Sequence, residues 1–420
     1  MSKKTRRRST AAVFIKGNCM KYDFISFPDR RGHDALAVDA VGRDDGFCPA
    51  APRDGFSVIP MWVADMNFKT APQITDAIID RANHPLFGYF IMRREYYDAV
   101  VNWQKTRNGS TVEREWIGYE NGVLGCLSSF LRAFLPHGGR VLLHSPCYIG
   151  FQGTLKSMGV EALYSPLYRD RDGVWRMDYD DMERKIKENG IKAAVICSPH
   201  NPTGRVWERD ELLSAFEIFK KYGVTVFADE IWSDIVIGEN RFLPTRDISD
   251  DAKMRTVTAC APSKTFNLAG LIGAYHIVAD KDMRERLEKE AGSTHYNSIN
   301  VLSYHALLGA YSSGGAEWVD ELCSVIGDNA SFACDFIENR FEGVGLMRPQ
   351  GTYMLYLDLK GYLASSGKTC DEVLRAGWDV GVAWQDGRPF LFPDSIRMNL
   401  ALPKALVQEA FSRLGKYVFR

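Results

Sequence analysis

The chain has 420 residues, of which 45% are hydrophobic and 25% are charged. These proportions are typical of globular proteins in water and exclude disordered, fibrous and membrane classes. The 52 basic and 53 acidic residues leave a net charge of -1, so charge predicts no nucleic-acid or anionic-lipid partner. Because a chain of 420 residues exceeds the size of most single cores, we expect a large domain and a smaller one.

The N-terminal segment is basic between Lys3 and Arg8 and continues into the short apolar run Ala11–Ile15. This run is too short for the hydrophobic region of a signal peptide, and no other run approaches the roughly 20 apolar residues that span a bilayer. We interpret residues 1–20 as a poorly ordered basic arm, and we expect neither export nor a membrane partner.

The nine cysteines are scattered, odd in number and without a Cys-x-x-Cys pair. This distribution predicts neither a metal site nor a disulfide framework. Several lie inside apolar runs, as Cys197 does, where a thiol packs as a small hydrophobe. The pattern favours a reducing, cytoplasmic location.

Residues 65–310 repeat a short apolar run, a polar or Gly-Pro loop and a longer stretch with helical spacing. This alternation predicts an α/β domain with a mostly parallel sheet. The stretch Asp210–Tyr222 predicts a crossover helix that ends at Gly223. The strand candidates are short, apolar and rich in β-branched residues. In chain order they are Arg140–His144, Ala193–Cys197, Val224–Ala228 and Thr256–Cys260.

After about residue 330 the pattern changes to a mixed α+β segment that contains Gly351–Leu357 and Ser395–Asn399. We expect residues 65–310 to form the large domain. Residues 21–64 and 311–420 are expected to form the small domain.

Three polar residues, Asn201, Asp229 and Lys264, each follow a different strand candidate. Ligands of open α/β sheets bind beyond the carboxyl ends of the strands, so we expect these side chains to converge. A lysine alone in such a place is usually a surface residue. Pyridoxal 5'-phosphate (PLP), however, needs an amine for its Schiff base, a carboxylate for its ring nitrogen and donors for its oxygens. The three residues together supply this set and predict a PLP site.

Several motifs strengthen this interpretation by their order and spacing; they are Pro60–Phe68, Phe87–Tyr89, Asn201–Gly204, Asp229–Ile231, Ser263–Gly270 and Arg397–Leu400. With them the chain resembles fold-type I PLP enzymes, the aspartate aminotransferase superfamily, from about residue 55 to 415. It is most similar to the MalY/PatB-type branch of cystathionine β-lyases and carbon-sulfur lyases. The resemblance implies a large PLP-binding domain with a mostly parallel, seven-stranded sheet flanked by helices, plus a smaller α+β domain.

The resemblance also implies roles around the cofactor ring. Lys264 is expected to form the Schiff base and to move protons as the catalytic acid and base. Asp229 is expected to pair with the protonated ring nitrogen, and Asn201 to donate a hydrogen bond to the 3'-oxygen. Tyr148 is expected to stack on the ring, although it also suits simple core packing.

Further residues are expected to hold the phosphate. The glycine turn at Gly122 precedes a helical stretch, so the backbone N-H groups of Val123 and Leu124 suit an anion. The resemblance adds the Ser263 hydroxyl, and it implies that Tyr89 reaches the cofactor of a neighbouring subunit. A functional Tyr89 therefore predicts a homodimer.

Arg397 is expected to bind the α-carboxylate of an amino-acid substrate through a bidentate fork that lysine cannot form. Other positions favour the lyases over the aminotransferases. Aminotransferases of the superfamily commonly have a tyrosine where this chain has Trp232 and an arginine where it has Ile272. The chain also departs from common lyase residues at Asn67 and Ile149, near the expected substrate cleft.

The expected reaction is α,β-elimination of cystathionine, cysteine or S-conjugates to a thiol, pyruvate and ammonia. The same residues also suit an aminotransferase, which differs only in the fate of the substrate carbanion. A third hypothesis is a PLP-binding regulatory protein, in which the arm between Lys3 and Arg8 touches nucleic acid. The absence of a helix-turn-helix extension disfavours that hypothesis.

Overall fold

A computed structural model describes residues 14–15, 18–43, 47–135, 138–294 and 298–420 of the chain. The expectation of a poorly ordered arm at 1–20 falls largely on residues outside this set. Within it, Phe14–Ile15 pairs antiparallel with Asn18–Cys19. No helix of the described ranges is both long enough and apolar enough to cross a bilayer.

The strands are, in chain order, β1 (Phe14–Ile15), β2 (Asn18–Cys19), β3 (Ile59–Pro60), β4 (Ile117–Glu120), β5 (Arg140–Ser145), β6 (Glu161–Pro166), β7 (Tyr168–Arg169), β8 (Trp175–Arg176), β9 (Ala193–Cys197), β10 (Thr225–Asp229), β11 (Thr256–Cys260), β12 (Ala274–Ile277), β13 (Gly345–Leu346), β14 (Met354–Asp358), β15 (Val382–Ala383), β16 (Gln385–Asp386) and β17 (Ser395–Asn399). The α-helices are α1 (Leu36–Asp39), α2 (Pro72–Ala82), α3 (Arg94–Asn108), α4 (Val123–Phe134), α5 (Ile149–Ser157), α6 (Tyr179–Asn189), α7 (Arg209–Tyr222), α8 (Asp250–Arg255), α9 (Pro262–Thr265), α10 (Lys281–Thr294), α11 (Val301–Ala310), α12 (Ser313–Arg340), α13 (Lys360–Ser366), α14 (Cys370–Asp379) and α15 (Lys404–Tyr417).

The large sheet has seven strands in the order β4-β12-β11-β10-β9-β5-β6. Strand β12 runs antiparallel to both of its neighbours, whereas β11, β10, β9, β5 and β6 pair in parallel. The prediction of a mostly parallel, seven-stranded sheet is therefore confirmed. All five residues of β9 and all five of β11 are buried, as expected for strands covered by helices on both faces.

Helix α7 shows why the sequence forms a crossover at this place. It buries Leu212, Phe216 and Phe219 on one face. The backbone N-H of Glu208 donates to the Glu211 carboxylate at 2.8 Å, which satisfies a donor at the helix start. Gly223 ends the helix with a φ of 63°, a left-handed conformation that glycine adopts without steric cost. The helix brings the chain back to start β10 parallel to β9.

A smaller sheet of four strands, in the order β13-β14-β17-β16, is antiparallel throughout. It contains the predicted strand segments near Gly351–Leu357 and Ser395–Asn399. Strand β3 pairs in parallel with β15 and so joins the segment near residue 60 to this C-terminal part. The proposed domain boundaries near residues 65 and 310 remain a prediction.

Candidate active site

A cavity of about 280 Å³ lies where the carboxyl ends of β9, β10 and β11 meet the start of α4. Most of the residues predicted to hold the cofactor line it: Gly122, Val123, Leu124, Tyr148, Asn201, Asp229, Ser263 and Lys264. Strand ends bring them together, because Asp229 pairs with Cys197 on one side and Ala259 on the other. Residues separated by more than a hundred positions therefore share one small space.

Lys264 lies in the short helix α9, two residues after Pro262. Its Nζ donates to the backbone carbonyl of Ala64 at 2.9 Å and lies 5.8 Å from the centre of the Trp232 ring. Burial, and to a smaller extent nearby Arg397, lower the pKa of the amine from 10.5 to about 8, against the opposing effects of Asp65 and Asp229. The amine is thus close to losing its proton at neutral pH, as a nucleophile or base requires.

Asp229 ends β10 and is buried. Its Oδ1 accepts a hydrogen bond from the backbone N-H of Ile231 at 3.0 Å. Burial raises the pKa of the carboxyl to about 7, against the lowering effects of the Ile231 hydrogen bond and of Lys264. A buried carboxylate of this kind is stabilised by a cation placed beside it.

The turn before α4 places the N-terminal end of a helix at the cavity. Gly122 is the N-cap residue with a φ of 87°, no side chain caps the helix, and its first turn carries no acidic residue. The first N-H groups of a helix have no partner within the helix, and the helix dipole makes this end positive. The turn from Gly122 to Leu124 therefore suits an anionic group.

Tyr148 and Asn201 lie on the other side of the cavity. Tyr148 precedes α5 and packs edge-on against Phe151, with ring centres 5.4 Å apart. A Cβ on Gly150 would lie 2.4 Å from the Tyr148 ring, so glycine at that position makes room for the tyrosine. Asn201 is buried and accepts a hydrogen bond from Arg397 at 3.0 Å.

Arg397 comes from the smaller sheet and lies next to the cavity rather than in its wall. Its guanidinium donates to Asn201, to the Trp62 carbonyl at 3.2 Å and to the Gln385 side chain. It also stacks over Phe390 at 4.5 Å. Burial lowers its pKa to about 10, and its Nε has no hydrogen-bond partner among the described residues. Three of its five N-H donors hold the arginine in place, which leaves two for a ligand.

Tyr89 is not brought to the cavity of its own chain. Its relative exposure is 111%, and it lies on a surface with the exposed side chains of Leu86, Phe87 and Ile91. Together we call Leu86–Ile91 the aromatic surface. The position agrees with a role outside its own subunit, which remains a prediction.

The four positions at which the chain departs from residues common in related enzymes fall into two groups. Trp232 and Ile272 line the cavity, and Ile272 has a φ of 43°, a strained value for a β-branched residue. Asn67, in contrast, is buried and bonded to Arg30 at 3.1 Å, and Ile149 starts α5. Neither lines the cavity, and their expected position near the substrate cleft remains a prediction.

Three groups near the site were not predicted from the sequence. The Ala64 carbonyl has no side-chain signature, and its contact with Lys264 spans 200 positions. Glu120 and His276 form a buried pair behind the glycine turn. Glu120, two residues before Gly122, could have been noticed in the sequence. Its partner His276 could not, because it lies 156 positions away.

Comparison with known proteins gives one consistent result. The Aminotransferase class I and II family matches residues 58–414. Cystathionine beta-lyase PatB from Bacillus subtilis is 35% identical over 92% of this chain and 97% of its own length. Protein MalY from Escherichia coli is 30% identical over 94% and 98%.

Among solved structures, cystalysin from Treponema denticola, which contains a pyridoxal 5'-phosphate cofactor, superposes with a TM-score of 0.86 and 27% identity. The match covers 94% of this chain and 98% of cystalysin. Because the family match spans most of the chain and two curated relatives align along nearly their full lengths, the protein belongs to the aminotransferase class I and II family.

Proposed function

We propose that the protein is a PLP-dependent carbon-sulfur β-lyase that converts an S-substituted cysteine into a thiol, pyruvate and ammonia. The observation that carries the proposal is the single cavity that joins Lys264, Asp229, Asn201 and the turn at Gly122. The similarity to PatB, named a cystathionine beta-lyase, supports this reaction over others of the family.

The residues of the cavity fit PLP in chemistry and in arrangement. The buried Asp229 carboxyl, with its pKa raised to about 7 by burial, would hold the protonated ring nitrogen. The amides at Val123 and Leu124 and the Ser263 hydroxyl would hold the phosphate, while Asn201 would hold the 3'-oxygen and Tyr148 the ring face. When bound, PLP supplies an electron sink for the electron pair left on the substrate α-carbon.

The chain's own residues would then perform the proton transfers. Arg397 would bind the substrate carboxylate and orient the α-hydrogen toward Lys264. The Lys264 amine would take the α-proton, and the bond between the β-carbon and sulfur would break with its electron pair leaving on sulfur. The thiolate takes up a proton, and the released 2-aminoacrylate hydrolyses to pyruvate and ammonia. Incubation of purified protein with cystathionine tests this, because pyruvate must appear together with the thiol.

An aminotransferase is the second candidate, because the family includes such enzymes and the same lysine serves both reactions. Trp232 and Ile272 line the cavity where aminotransferases commonly carry a phenol and a guanidinium. Trp232 has no phenolic hydroxyl, since its side chain offers only an indole N-H, and Ile272 has no polar side-chain atom that could replace a guanidinium. Keto-acid exchange without pyruvate release would overturn the lyase proposal in favour of this candidate.

Arg397→Lys is expected to raise the KM for the amino-acid substrate about tenfold or more, with a smaller change in kcat. Lysine keeps the charge but loses the planar fork that binds a carboxylate through two parallel hydrogen bonds. Steady-state pyruvate release over a range of substrate concentrations checks it. Arg348→Lys, on the exposed pair with Asp335, is the matched control and should match the wild type. An unchanged KM in Arg397→Lys would contradict the assignment.

The rate at which the cofactor-free chain takes up PLP is expected to rise with pH and to level off above about 8. Only the neutral amine attacks the PLP aldehyde, and burial lowers the pKa of Lys264 from 10.5 to about 8. Below that pH the neutral fraction, and so the rate, should grow about tenfold per pH unit. The absorbance change on mixing measures it. A rate that still climbs steeply beyond pH 9, as expected for an ordinary lysine, would disagree.

We further propose that the protein works as a homodimer in which Tyr89 reaches the neighbouring subunit's cofactor phosphate. The support is the aromatic surface, Leu86–Ile91, which exposes several large apolar side chains side by side. Such a patch is typical of a protein interface. A monomeric mass in solution for the PLP-loaded protein would contradict the proposal.

A cytoplasmic location is proposed from the chemistry of the cysteines. Seven cysteines of the described residues, from Cys126 to Cys370, are free thiols, and most of them are buried. Unpaired thiols in this number suit a reducing compartment. Fractionation of cells that carry the protein tests this.

A further inference from the structure

Tyr353 has a buried hydroxyl that makes no hydrogen bond. The residue is 1% exposed, and its hydroxyl oxygen has no hydrogen-bond partner among the described residues. Nearly all buried polar groups of folded proteins have such a partner, so each exception needs an explanation. A hydroxyl that binds a ligand is one such explanation.

The backbone just before Tyr353 is held in a strained conformation. Thr352 has a φ of 65°, in the left-handed region that a β-branched residue rarely adopts. Its N-H donates to the Ile235 carbonyl at 2.9 Å, and its hydroxyl accepts from the Met354 N-H at 3.0 Å. These contacts fix the turn by which the chain enters β14. Strained residues that are held in this way cluster at functional sites.

Tyr353 lies beside the cavity and contacts a residue of its wall. The Tyr353 ring packs edge-on against Trp232, with ring centres 4.6 Å apart. Trp232 lines the cavity, and the centre of its ring lies 5.8 Å from Lys264 Nζ. The tyrosine and the lysine therefore lie next to the same indole ring.

Two charged groups near the cavity, Asp65 and Arg397, act on the phenol of Tyr353. Burial raises the pKa of this phenol well above its ordinary value, and so to a smaller extent does Asp65, while Arg397 opposes them. The hydroxyl therefore keeps its proton. The Asp65 carboxylate is paired with Arg30 and does not accept a hydrogen bond from the tyrosine. The proton of the Tyr353 hydroxyl thus has no acceptor among the described residues.

Arg397 also has a buried donor without a partner. Its Nε makes no hydrogen bond among the described residues, although its terminal nitrogens donate to Asn201, Trp62 and Gln385. Arg397 lies on β17, and Tyr353 directly precedes β14, the strand that pairs with β17. One anionic group bound next to both residues would accept from both, as the oxygens of a carboxylate can.

We propose that Tyr353 is a substrate-binding residue whose hydroxyl donates a hydrogen bond to the α-carboxylate that Arg397 binds. The inference rests on the proposed function. Arg397 supplies the positive charge, and Tyr353 supplies a neutral donor that the strained turn at Thr352 holds in place. A carboxylate bound by two separate side chains has less freedom to rotate, which keeps the α-hydrogen directed toward Lys264.

The test measures the dissociation constants of L-alanine and ethylamine for the PLP-loaded, full-length protein from the change in cofactor absorbance. L-Alanine has no leaving group on its β-carbon, so it binds without elimination. Ethylamine is L-alanine without the carboxylate, and it reports the binding of the amine alone. The variant is Tyr353→Phe, which removes only the hydroxyl. Tyr362→Phe is the matched control, because the Tyr362 hydroxyl is also buried but donates to the Val418 carbonyl at 2.8 Å, outside the cavity.

The dissociation constant of L-alanine should rise about tenfold in Tyr353→Phe, because a hydrogen bond to a charged group is lost. That of ethylamine should not change, and Tyr362→Phe should bind both ligands like the wild type. Without ligand, Tyr353→Phe should unfold at the temperature of the wild type or above it, since its hydroxyl makes no internal hydrogen bond. Tyr362→Phe should unfold at a lower temperature.

An unchanged dissociation constant of L-alanine in Tyr353→Phe overturns the inference. An equal rise for L-alanine and ethylamine also overturns it, since that result indicates altered packing rather than a lost contact with the carboxylate. A wild-type protein that responds to neither ligand would instead contradict the proposed function, and the inference would fail with it.

Discussion

Lys264→Ala is expected to lower kcat/KM for pyruvate release by about 10³-fold or more, while leaving the fold intact. In the proposed mechanism the amine both anchors the cofactor and takes the α-proton, and loss of a positioned acid-base group alone costs about 10² to 10⁴ in rate. Lys264 lies at the edge of the cavity with a single hydrogen bond, to the Ala64 carbonyl at 2.9 Å. Alanine therefore removes little packing, and thermal unfolding should change little.

A second experiment tests the chemical role of Lys264. Treatment with borohydride should fix PLP covalently to the wild-type chain, with a mass increase on the peptide that contains Lys264, and should leave Lys264→Ala unlabelled. Lys281→Ala is the matched control, because that lysine is exposed and lies at the start of α10. A label on another lysine, or turnover in Lys264→Ala close to that of wild type, would refute the assignment.

The fold could be predicted from the sequence wherever the signal was local. The runs at Ala193–Cys197 and Thr256–Cys260 became β9 and β11 with those bounds, because consecutive apolar residues suit a strand buried on both faces. The third candidate was displaced by one residue, since β10 runs from Thr225 to Asp229. Asp229 joins the strand because its backbone continues the ladders to Cys197 and Ala259.

The side chains of the site could be predicted from the sequence, but the contacts between them could not. Lys264, Asp229 and Asn201 follow different strands, and parallel strands place their carboxyl ends at one edge, so their convergence followed from the sheet. The contacts between distant segments could not be foreseen. Arg397 meets Asn201 across 196 positions, and His276 meets Glu120 only because β12 inserts antiparallel beside β4. Strand order is a property of the whole chain and not of any motif.

The positions at which the chain departs from common family residues also show that contacts cannot be predicted from the sequence. Trp232 and Asn67 were equally visible in the sequence, yet only Trp232 lines the cavity. Asn67 is turned toward Arg30 instead, and Arg30 also pairs with Asp65. A residue near a motif in sequence can therefore support the loop that carries the motif without lining the cavity.

Asp229→Asn is expected to lower kcat by about 10² to 10³-fold, with the cofactor still attached to Lys264. Asparagine has the same shape and keeps the oxygen that accepts from Ile231 N-H at 3.0 Å, so the backbone should not move. What it loses is the negative charge that, in the proposed site, would keep the ring nitrogen protonated. Removing one partner of a buried ion pair costs about 3 to 5 kcal/mol, and the lower part of this range corresponds to the expected loss in rate.

The pKa of Asp229 gives this prediction its physical basis. Burial raises the pKa of its carboxyl to about 7 even against the lowering effect of Lys264, so a protonated ring nitrogen beside it would stabilise the carboxylate and would be stabilised in return. Asp379→Asn is the matched control, since that carboxylate is equally buried but pairs with Arg53 and Arg375 far from the cavity. A PLP analogue methylated on the ring nitrogen carries a fixed positive charge. It should restore part of the turnover of Asp229→Asn and none of that of Lys264→Ala. Turnover in Asp229→Asn that equals that of Asp379→Asn would show that the ring charge is held by another group.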